Sequence, residues 1–264
     1  MKISCVQMNM RLAEPDENFK HAAALIEKAS GEGADVAVLP ETWNTGFFPR
    51  ENLDSFCDTD GERTKKEIGS LAKKLGIYIV AGSVSNKKGD KVYNTSYVFS
   101  RDGECIAQYD KTHLFTPMQE HHFYEKGSHL TRFEIEGKKC GIIICYDIRF
   151  PELTRSLTID GLDILFVVSQ WPAVRTAHLL ALTKARAIEN QMFVVCCNSC
   201  GTAGATVYGG NSSIHDPWGV LLSQAGEAEE IISAECDTSI LGEIRSSINV
   251  FNDRRVELYK LTDK

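Results

Sequence analysis

The chain lacks the features that mark membrane, secreted and nucleic-acid-binding proteins. No apolar run approaches the ~20 residues that a membrane-spanning helix needs. The net charge of −7 at pH 7 disfavours the phosphate backbone of a nucleic acid as a partner. The first residues, 1–6, have the pattern of a strand rather than of a signal peptide. These absences predict a cytoplasmic protein that binds neither nucleic acid nor membranes.

Metal-binding spacings are also missing. The nine cysteines are odd in number and irregular in spacing, which favours reduced thiols over a disulfide framework. Cys196, Cys197 and Cys200 cluster without a second pair, so we interpret them as part of a core strand. His121 and His122 are adjacent, and neighbours in sequence seldom face one ion. We therefore expect no metal site.

No internal repeat or low-complexity linker divides the chain, so we expect a single domain over residues 1–264. Periodicity predicts helices at 17–30, 64–75, 151–159 and 176–191, with a last one after Asp237. It predicts strands at 2–8, 36–39, 77–84, 92–99, 104–109, 141–144, 163–168, 192–198, 208–215, 219–224 and 230–236, and a loop at 199–205. Because the strands are nearly continuously apolar, we expect an α/β fold of two packed sheets with helices outside.

The stretch from Gly141 to Glu152 carries the strongest chemical signal. Three isoleucines predict a buried strand, and Pro151 can begin a helix. Cys145 therefore lies on a sharp turn between strand and helix, a position that presents a nucleophile at the mouth of a sheet. A helix N-terminus close by would favour the reactive thiolate. The alternative is a buried structural cysteine, since free cysteine is among the most buried residue types.

Glu41 and Lys111 also follow the ends of apolar strands. Strand ends at one edge of a layered α/β fold converge, so we expect both side chains to meet Cys145. A carboxylate base, an ammonium group that holds an oxyanion and a thiol nucleophile together suit acyl transfer. Taken singly, Glu41 could be a solvated loop residue, Lys111 a surface residue, and the pair a plain salt bridge.

At these residues the chain resembles the nitrilase superfamily of carbon–nitrogen hydrolases. The matching motifs are Leu39-Pro40-Glu41, Tyr109-Asp110-Lys111-Thr112-His113-Leu114, Ile144 to Glu152, Ala185 to Gln191, and Asp216-Pro217-Trp218-Gly219. The resemblance covers about residues 3 to 260. It implies a four-layer α-β-β-α sandwich of two mixed sheets with helices outside, a Glu41-Lys111-Cys145 triad, a thioester intermediate, and no metal or cofactor. Superfamily members usually associate through their sheet layers and C-terminal tails, which suggests a homodimer.

The resemblance further implies a second glutamate near the nucleophile. Glu120 matches that position best, and Glu125 is a rival. Within the superfamily the chain is most similar to the ω-amidases, which hydrolyse the side-chain amide of 2-oxoglutaramate and 2-oxosuccinamate. The similar segments are Glu120-His121, Gln170-Trp171-Pro172 with Arg175, and Ala185 to Gln191. The implied reaction uses a small amide and water and releases ammonia.

Three further residues are candidates for substrate binding. Arg175 can hold a substrate carboxylate bidentately, with a surface arginine at a helix start as its alternative. Tyr146 and Trp171 are expected to line the pocket. Arg149 could also bind substrate, but we interpret it as an ion-pair partner of the acidic residues beside it, Asp147 and Glu152, that braces the turn.

Other functions stay open at this point. The chain could be a nitrilase or an N-carbamoyl amino acid hydrolase of the same superfamily. It could be a Cys-His thiol hydrolase that uses His113, His121 or His122 as the base. It could also be a non-catalytic interaction protein, although the intact Glu41, Lys111 and Cys145 argue against that.

Overall fold

The computed structural model of the chain describes residues 1–47 and 49–259, so the last five residues of the expected 1–264 domain lie outside the described residues. The α-helices are α1 (Pro15–Gly31), α2 (Leu53–Phe56), α3 (Glu62–Leu75), α4 (Pro151–Thr158), α5 (Thr176–Asn190) and α6 (Leu241–Ser247). Short 3₁₀ helices span Thr116–Met118, Glu120–His122, Cys145–Arg149, Ala173–Arg175, Thr238–Ile240 and Val256–Leu258.

The strands fall into two groups along the chain. The first half and the C-terminal region hold β1 (Lys2–Gln7), β2 (Val36–Val38), β3 (Asp58–Thr59), β4 (Tyr78–Val80), β5 (Val84–Lys88), β6 (Lys91–Phe99), β7 (Cys105–Asp110) and β16 (Glu230–Glu235). The second half holds β8 (Arg132–Ile135), β9 (Lys138–Ile144), β10 (Ile164–Ser169), β11 (Phe193–Asn198), β12 (Cys200–Ala203), β13 (Thr206–Gly209), β14 (Ser213–His215) and β15 (Leu221–Gln224).

These strands build two large mixed sheets and one hairpin. The first sheet has the order β16-β1-β2-β4-β6-β5-β3, with β7 also paired to β6. The second has the order β15-β14-β11-β10-β9-β8, in which β9, β10 and β11 run parallel. Strands β12 and β13 form a separate two-stranded unit. In each large sheet, parallel strands bring their carboxyl ends to one edge, which places the residues that follow them side by side.

Side-chain alternation explains the four layers. Along β1 and β2, Ile3, Cys5, Val36 and Val38 face the second sheet and share a core with its buried strands. The intervening residues face the opposite way and pack against the apolar side chains of α1 and α3. Helices α4 and α5 cover the outer face of the second sheet. The expected α-β-β-α sandwich of two mixed sheets with helices outside is therefore confirmed.

Two predicted strands and one predicted loop are wrong in detail. The predicted strand 77–84 ends at Val80, because Gly82 has φ +54° and a Cβ there would lie 1.9 Å from the Pro40 carbonyl oxygen. The predicted strand 208–215 is two strands, β13 and β14, and the predicted loop 199–205 contributes β12. Strands β3, β5 and β8 and the short helix α2 were not predicted. The close approach at Gly82 matters for function, since it packs this turn onto the backbone just before Glu41.

The cysteines and helices test the expectations of reduced thiols, of a cysteine-containing core strand and of no membrane-spanning helix. All nine cysteines lie in the described part of the chain and are free thiols. Cys196, Cys197 and Cys200 are buried on β11 and β12, as the core-strand interpretation required. Within residues 1–47 and 49–259, every helix is too short or too polar to span a bilayer.

Candidate active site

The nucleophile candidate begins a tight turn. Cys145 is the first residue of the 3₁₀ helix that joins β9 to α4, and it has φ +47°. A non-glycine residue in this left-handed region is strained, and such strain is concentrated at functional sites. Cys145 is only 8% exposed. The sharp strand-to-helix turn predicted from the sequence is present, with a five-residue 3₁₀ helix, Cys145–Arg149, before α4 begins at Pro151.

Asp147 holds this turn against the segment that carries the lysine. Its Oδ2 accepts hydrogen bonds from the Tyr109 hydroxyl at 2.8 Å and from the Ile144 backbone N–H at 3.0 Å. Its Oδ1 accepts from the Thr112 hydroxyl at 3.0 Å and from the His113 backbone N–H at 2.9 Å. Asp147 therefore connects the nucleophile turn to both flanks of Lys111.

Glu41 follows β2 and is fully buried. Its Oε1 accepts from Lys111 Nζ at 2.7 Å and from Asn94 Nδ2 at 2.9 Å. Its Oε2 accepts from the Gln170 backbone N–H at 2.8 Å. Because Gln170 follows β10, both sheets hold this one carboxylate, and its rotamer is set by three donors.

Lys111 directly follows β7 and is 1% exposed. Its ammonium group lies 2.7 Å from Glu41 Oε1 and 2.9 Å from Glu120 Oε2. Burial alone lowers the pKa of this amine, but the Glu120 and Glu41 carboxylates outweigh burial and hold the pKa well above its ordinary value. Lys111 is therefore a permanent cation, as an oxyanion-stabilising group must be.

Of the two rival glutamates, only Glu120 reaches the lysine. Its carboxylate is fully buried and also accepts from the Phe115 backbone N–H and, at 3.4 Å, from Asn94 Nδ2. Burial raises the pKa of Glu120, Lys111 opposes that shift, and the nearby Glu41 charge adds to it. Glu125 instead lies on the surface, half exposed and 3.5 Å from Lys91.

The Cys145 thiol is held in its neutral form. Burial is the largest cause of its raised pKa, and the adjacent Glu41 carboxylate raises the pKa further. Lys111 and the Ser169 side chain act in the opposite direction without cancelling these effects. The expectation of a thiolate favoured by the helix N-terminus is therefore wrong for the resting site, and the thiol needs a base.

A pocket opens onto these groups. Lys111 and Cys145 form its buried end, and aromatic side chains form its walls, among them Phe115, Tyr146 and Trp171. The predicted pocket residues Tyr146, Trp171 and Arg175 all line it. Trp171 is fixed by its backbone N–H, which donates to Asn198 Oδ1 at 2.7 Å, and by its indole N–H, which donates to the Arg175 carbonyl at 2.8 Å.

Arg149 does not brace the turn as we had interpreted it. No ion pair joins it to Asp147 or Glu152 among the described residues, because Asp147 is occupied by neutral donors from the lysine segment. The Arg149 guanidinium instead lines the pocket, 4.7 Å from the centre of the Trp171 ring. The pocket thus contains two arginines where the sequence predicted one.

The histidines proposed for a Cys-His mechanism lie elsewhere. His113 Nδ1 is 2.8 Å from Asp147 Oδ1, and its ring stacks on Phe150 at 3.7 Å between centroids. His121 and His122 are exposed and contact each other. None of the three lines the pocket around the thiol. In residues 1–47 and 49–259, no group of three His, Cys, Asp or Glu side chains is arranged to hold a metal ion.

Sequence reasoning missed Asn94, the backbone N–H of Gln170 and the bracing role of Asp147. A signal existed for Asn94, which begins the polar run Asn94-Thr95-Ser96 within strand β6, and all three residues are buried. Asp147 follows the nucleophile by two residues, and its burial could have been suspected from that position. The Gln170 contact is made by the backbone N–H, so it cannot be predicted from the residue type.

Comparisons with known proteins agree with this geometry. A family model described as carbon-nitrogen hydrolase matches residues 2–246. The 2-oxoglutaramate amidase of Bacillus subtilis strain 168 is 45% identical over 257 residues, 97% of this chain and 98% of that protein. The omega-amidase NIT2 of Danio rerio is 34% identical and aligns with 98% of this chain and 96% of its own length.

Solved structures give the same result. A CN-hydrolase superfamily protein from Xanthomonas campestris, with an arsenic adduct in its active site, superposes with a TM-score of 0.90 and 31% identity over 96% of this chain and 97% of that one. Nit3 of Saccharomyces cerevisiae, a member of branch 10 of the nitrilase superfamily, superposes with a TM-score of 0.88 and 30% identity. The match covers 97% of this chain and 96% of that one. With its Glu-Lys-Cys arrangement, this chain belongs to the carbon-nitrogen hydrolase family of the nitrilase superfamily.

Proposed function

We propose that this enzyme is an ω-amidase, which hydrolyses the terminal amide of a short 2-oxo-ω-amido acid such as 2-oxoglutaramate or 2-oxosuccinamate and releases ammonia. One observation supports the substrate class above all: a thiol site with two carboxylates lies at the buried end of a pocket that also contains two partly exposed arginines, Arg149 and Arg175, which pair with no carboxylate among the described residues. The similarity to a 2-oxoglutaramate amidase and to omega-amidases of other organisms supports the same conclusion.

Acylation begins with the neutral thiol. Glu41 accepts the thiol proton as the sulfur attacks the amide carbonyl carbon, and the carbonyl oxygen becomes an oxyanion. The fixed positive charge of Lys111 stabilises that oxyanion. Glu41 then donates its proton to the amide nitrogen, the C–N bond breaks and ammonia leaves. A thioester on Cys145 remains.

Deacylation repeats these proton transfers with water. Glu41 removes a proton from a water molecule, whose oxygen attacks the thioester carbonyl carbon. Lys111 again holds the oxyanion, the C–S bond breaks, and the departing sulfur takes the proton from Glu41. The products are the free acid and the original thiol. Glu120 positions Lys111 throughout, because it is the second carboxylate within hydrogen-bond distance of the ammonium group.

Arg175 is proposed to bind the substrate carboxylate. It is half-buried in the pocket wall, and its guanidinium lies 5.2 Å from the centre of the Phe115 ring. A guanidinium group can hold a carboxylate through two parallel hydrogen bonds. The substrate amide is thereby directed to the buried end, because the carboxylates of Glu41 and Glu120 would repel an acid group there.

The reduced thiols support a cytoplasmic location, and an exposed apolar surface supports self-association. Ile188, Trp218, Val220 and Leu221 are each about half exposed, and they lie together where α5 packs against β14 and the turn after it. Clustered exposed apolar residues are typical of protein interfaces. We propose that this surface forms the contact of a homodimer. No nucleic-acid or membrane partner is proposed.

The covalent step can be tested directly. Cys145→Ala should abolish ammonia release from 2-oxoglutaramate while its thermal unfolding midpoint stays close to that of wild type, since the side chain is small. Wild type that is mixed with substrate and quenched in acid should show the acyl mass on Cys145 by mass spectrometry. Turnover by Cys145→Ala, or acylation confined to Cys196 or Cys197, would refute this mechanism.

Glu120→Gln should reduce kcat by about a hundredfold, with a smaller change in KM, because a misplaced Lys111 misaligns the oxyanion contact. Steady-state ammonia release measures both constants. Glu125→Gln is the matched control, since Glu125 lies on the surface, and it should behave as wild type. Near-normal kcat in Glu120→Gln would show that the lysine does not need its second carboxylate.

Arg175→Ala should raise KM for 2-oxoglutaramate by about ten- to a hundredfold, the effect of losing a charge-assisted pair. Hydrolysis of a neutral amide of similar length, butyramide, should change little, because no carboxylate is lost there. The comparison of the two substrates makes the test independent of general damage. An equal loss on both substrates would contradict the carboxylate role.

The dimer proposal is tested by light scattering of the purified protein. Wild type should have twice the mass of one chain, and Trp218→Glu should shift it towards the monomer because a charge would be buried in the contact. Val174→Glu is a control, since Val174 is an exposed apolar residue outside this surface. A monomeric wild type would overturn the proposal.

A further inference from the structure

Arg149 is a cation in the pocket without an acidic partner. In the described part of the chain, no carboxylate lies within ion-pair distance of its guanidinium, which contacts the Trp171 ring and lies 3.3 Å from His178 Nδ1. Arg101 provides the contrast: it also lies over an aromatic ring, 5.4 Å from the centre of Tyr78, but it is paired with Asp35 and Glu136. An unpaired charge that is partly removed from water is costly unless a ligand compensates it.

The position of Arg149 is fixed by the same elements that fix the nucleophile. It ends the 3₁₀ helix that begins at Cys145, and Asp147 ties that helix to the lysine segment. The indole ring beneath the guanidinium is itself held by two hydrogen bonds. Arg149 therefore enters the pocket from a segment that the same hydrogen bonds hold in place, as a specificity-determining group must.

The two arginines match two acceptors at one end of the substrate. A 2-oxo-ω-amido acid carries a carboxylate at its first carbon and a carbonyl oxygen at its second, whereas its amide is at the other end. The second carbon is nearer to the reacting amide than the carboxylate is. Arg149 shares a turn with Cys145, while Arg175 lies on another wall, just before α5.

We propose that Arg149 donates hydrogen bonds to the 2-oxo oxygen and makes the enzyme selective for 2-oxo-ω-amido acids over 2-amino ones. This inference rests on the proposed ω-amidase function and on Arg175 as the carboxylate partner. A 2-amino acid such as glutamine would place an ammonium group against the Arg149 guanidinium, and like charges at close range disfavour binding. A methylene group at the same carbon would leave the guanidinium donors unpaired.

Three amides that differ only at the second carbon test this assignment. They are 2-oxoglutaramate, glutaramate with a methylene group there, and glutamine with an ammonium group there. Ammonia release gives kcat/KM for wild type, Arg149→Met, Arg149→Lys and the control Arg101→Met. Methionine keeps the length and apolar body of the side chain, lysine keeps a cation, and Arg101 lies outside the pocket but has a similar aromatic contact.

Arg149→Met should lower kcat/KM for 2-oxoglutaramate by about thirtyfold and for glutaramate by less than about threefold, the effect expected from loss of a charge-assisted hydrogen bond. The kcat/KM for glutamine should stay the same or rise, because the repulsion between its ammonium group and the Arg149 guanidinium is removed. Arg149→Lys should retain part of the 2-oxo preference, and Arg101→Met should retain all of it. Equal losses on 2-oxoglutaramate and glutaramate, or no loss on either, would overturn the proposal.

A binding measurement separates recognition from chemistry. In the Cys145→Ala background, calorimetry should show that adding Arg149→Met raises the Kd for 2-oxoglutaramate by about thirtyfold. The Kd for glutaramate should rise by less than about threefold. A wild type that hydrolyses both compounds with no preference would overturn the role of Arg149 and leave the ω-amidase proposal intact. A wild type that hydrolyses neither ω-amido acid would overturn both.

Discussion

The active site depends on one buried ammonium group shared by two carboxylates. Lys111 is almost completely removed from water, and its charge is compensated by Glu41 and Glu120. Burying three charges costs free energy, and it is tolerated here because each carboxylate also accepts a backbone hydrogen bond. Removing one partner of such a cluster typically costs about 3–5 kcal/mol, so these three charged residues also stabilise the fold. The two sheets are joined at this cluster, since Gln170 of one sheet edge holds Glu41 of the other.

This arrangement gives each group one role. Lys111 cannot act as a base, because its neighbours keep the pKa of its amine well above the ordinary value. The Cys145 thiol cannot act alone, because burial and the Glu41 charge raise its pKa. Glu41 accepts a hydrogen bond from Lys111 and is close enough to the Cys145 thiol to raise its pKa, so it is the base to which the thiol proton can pass. The same negative charge that holds the thiol neutral at rest makes the carboxylate ready to accept the thiol proton when substrate arrives.

The sequence predicted the chemistry better than it predicted the details of the fold. Glu41, Lys111 and Cys145 were found because each follows an apolar strand, and strand ends meet at one edge. Glu120 could be named only through the resemblance, since it lies on a 3₁₀ turn whose position follows from no periodic pattern. The hairpin of β12 and β13 was missed because its small and polar residues carry no apolar alternation. The break at Gly82 depends on a contact with Pro40, which no local pattern reveals.

Arg149 was misinterpreted for a related reason. Two acidic residues close by in sequence made an ion pair the expected outcome, but Asp147 is turned towards Tyr109 and His113 by the fold. Arg149 therefore has no pairing with Asp147 and lines the same pocket as Arg175. The charge in the pocket changes along its length: two carboxylates lie beside the buried lysine near the thiol, whereas the guanidinium groups of Arg149 and Arg175 are partly exposed. Under the proposed function, this placement of charge orients a substrate that has an acid group at one end and an amide at the other. Orientation thus follows from the placement of charge, before any contact specific to the amide is made.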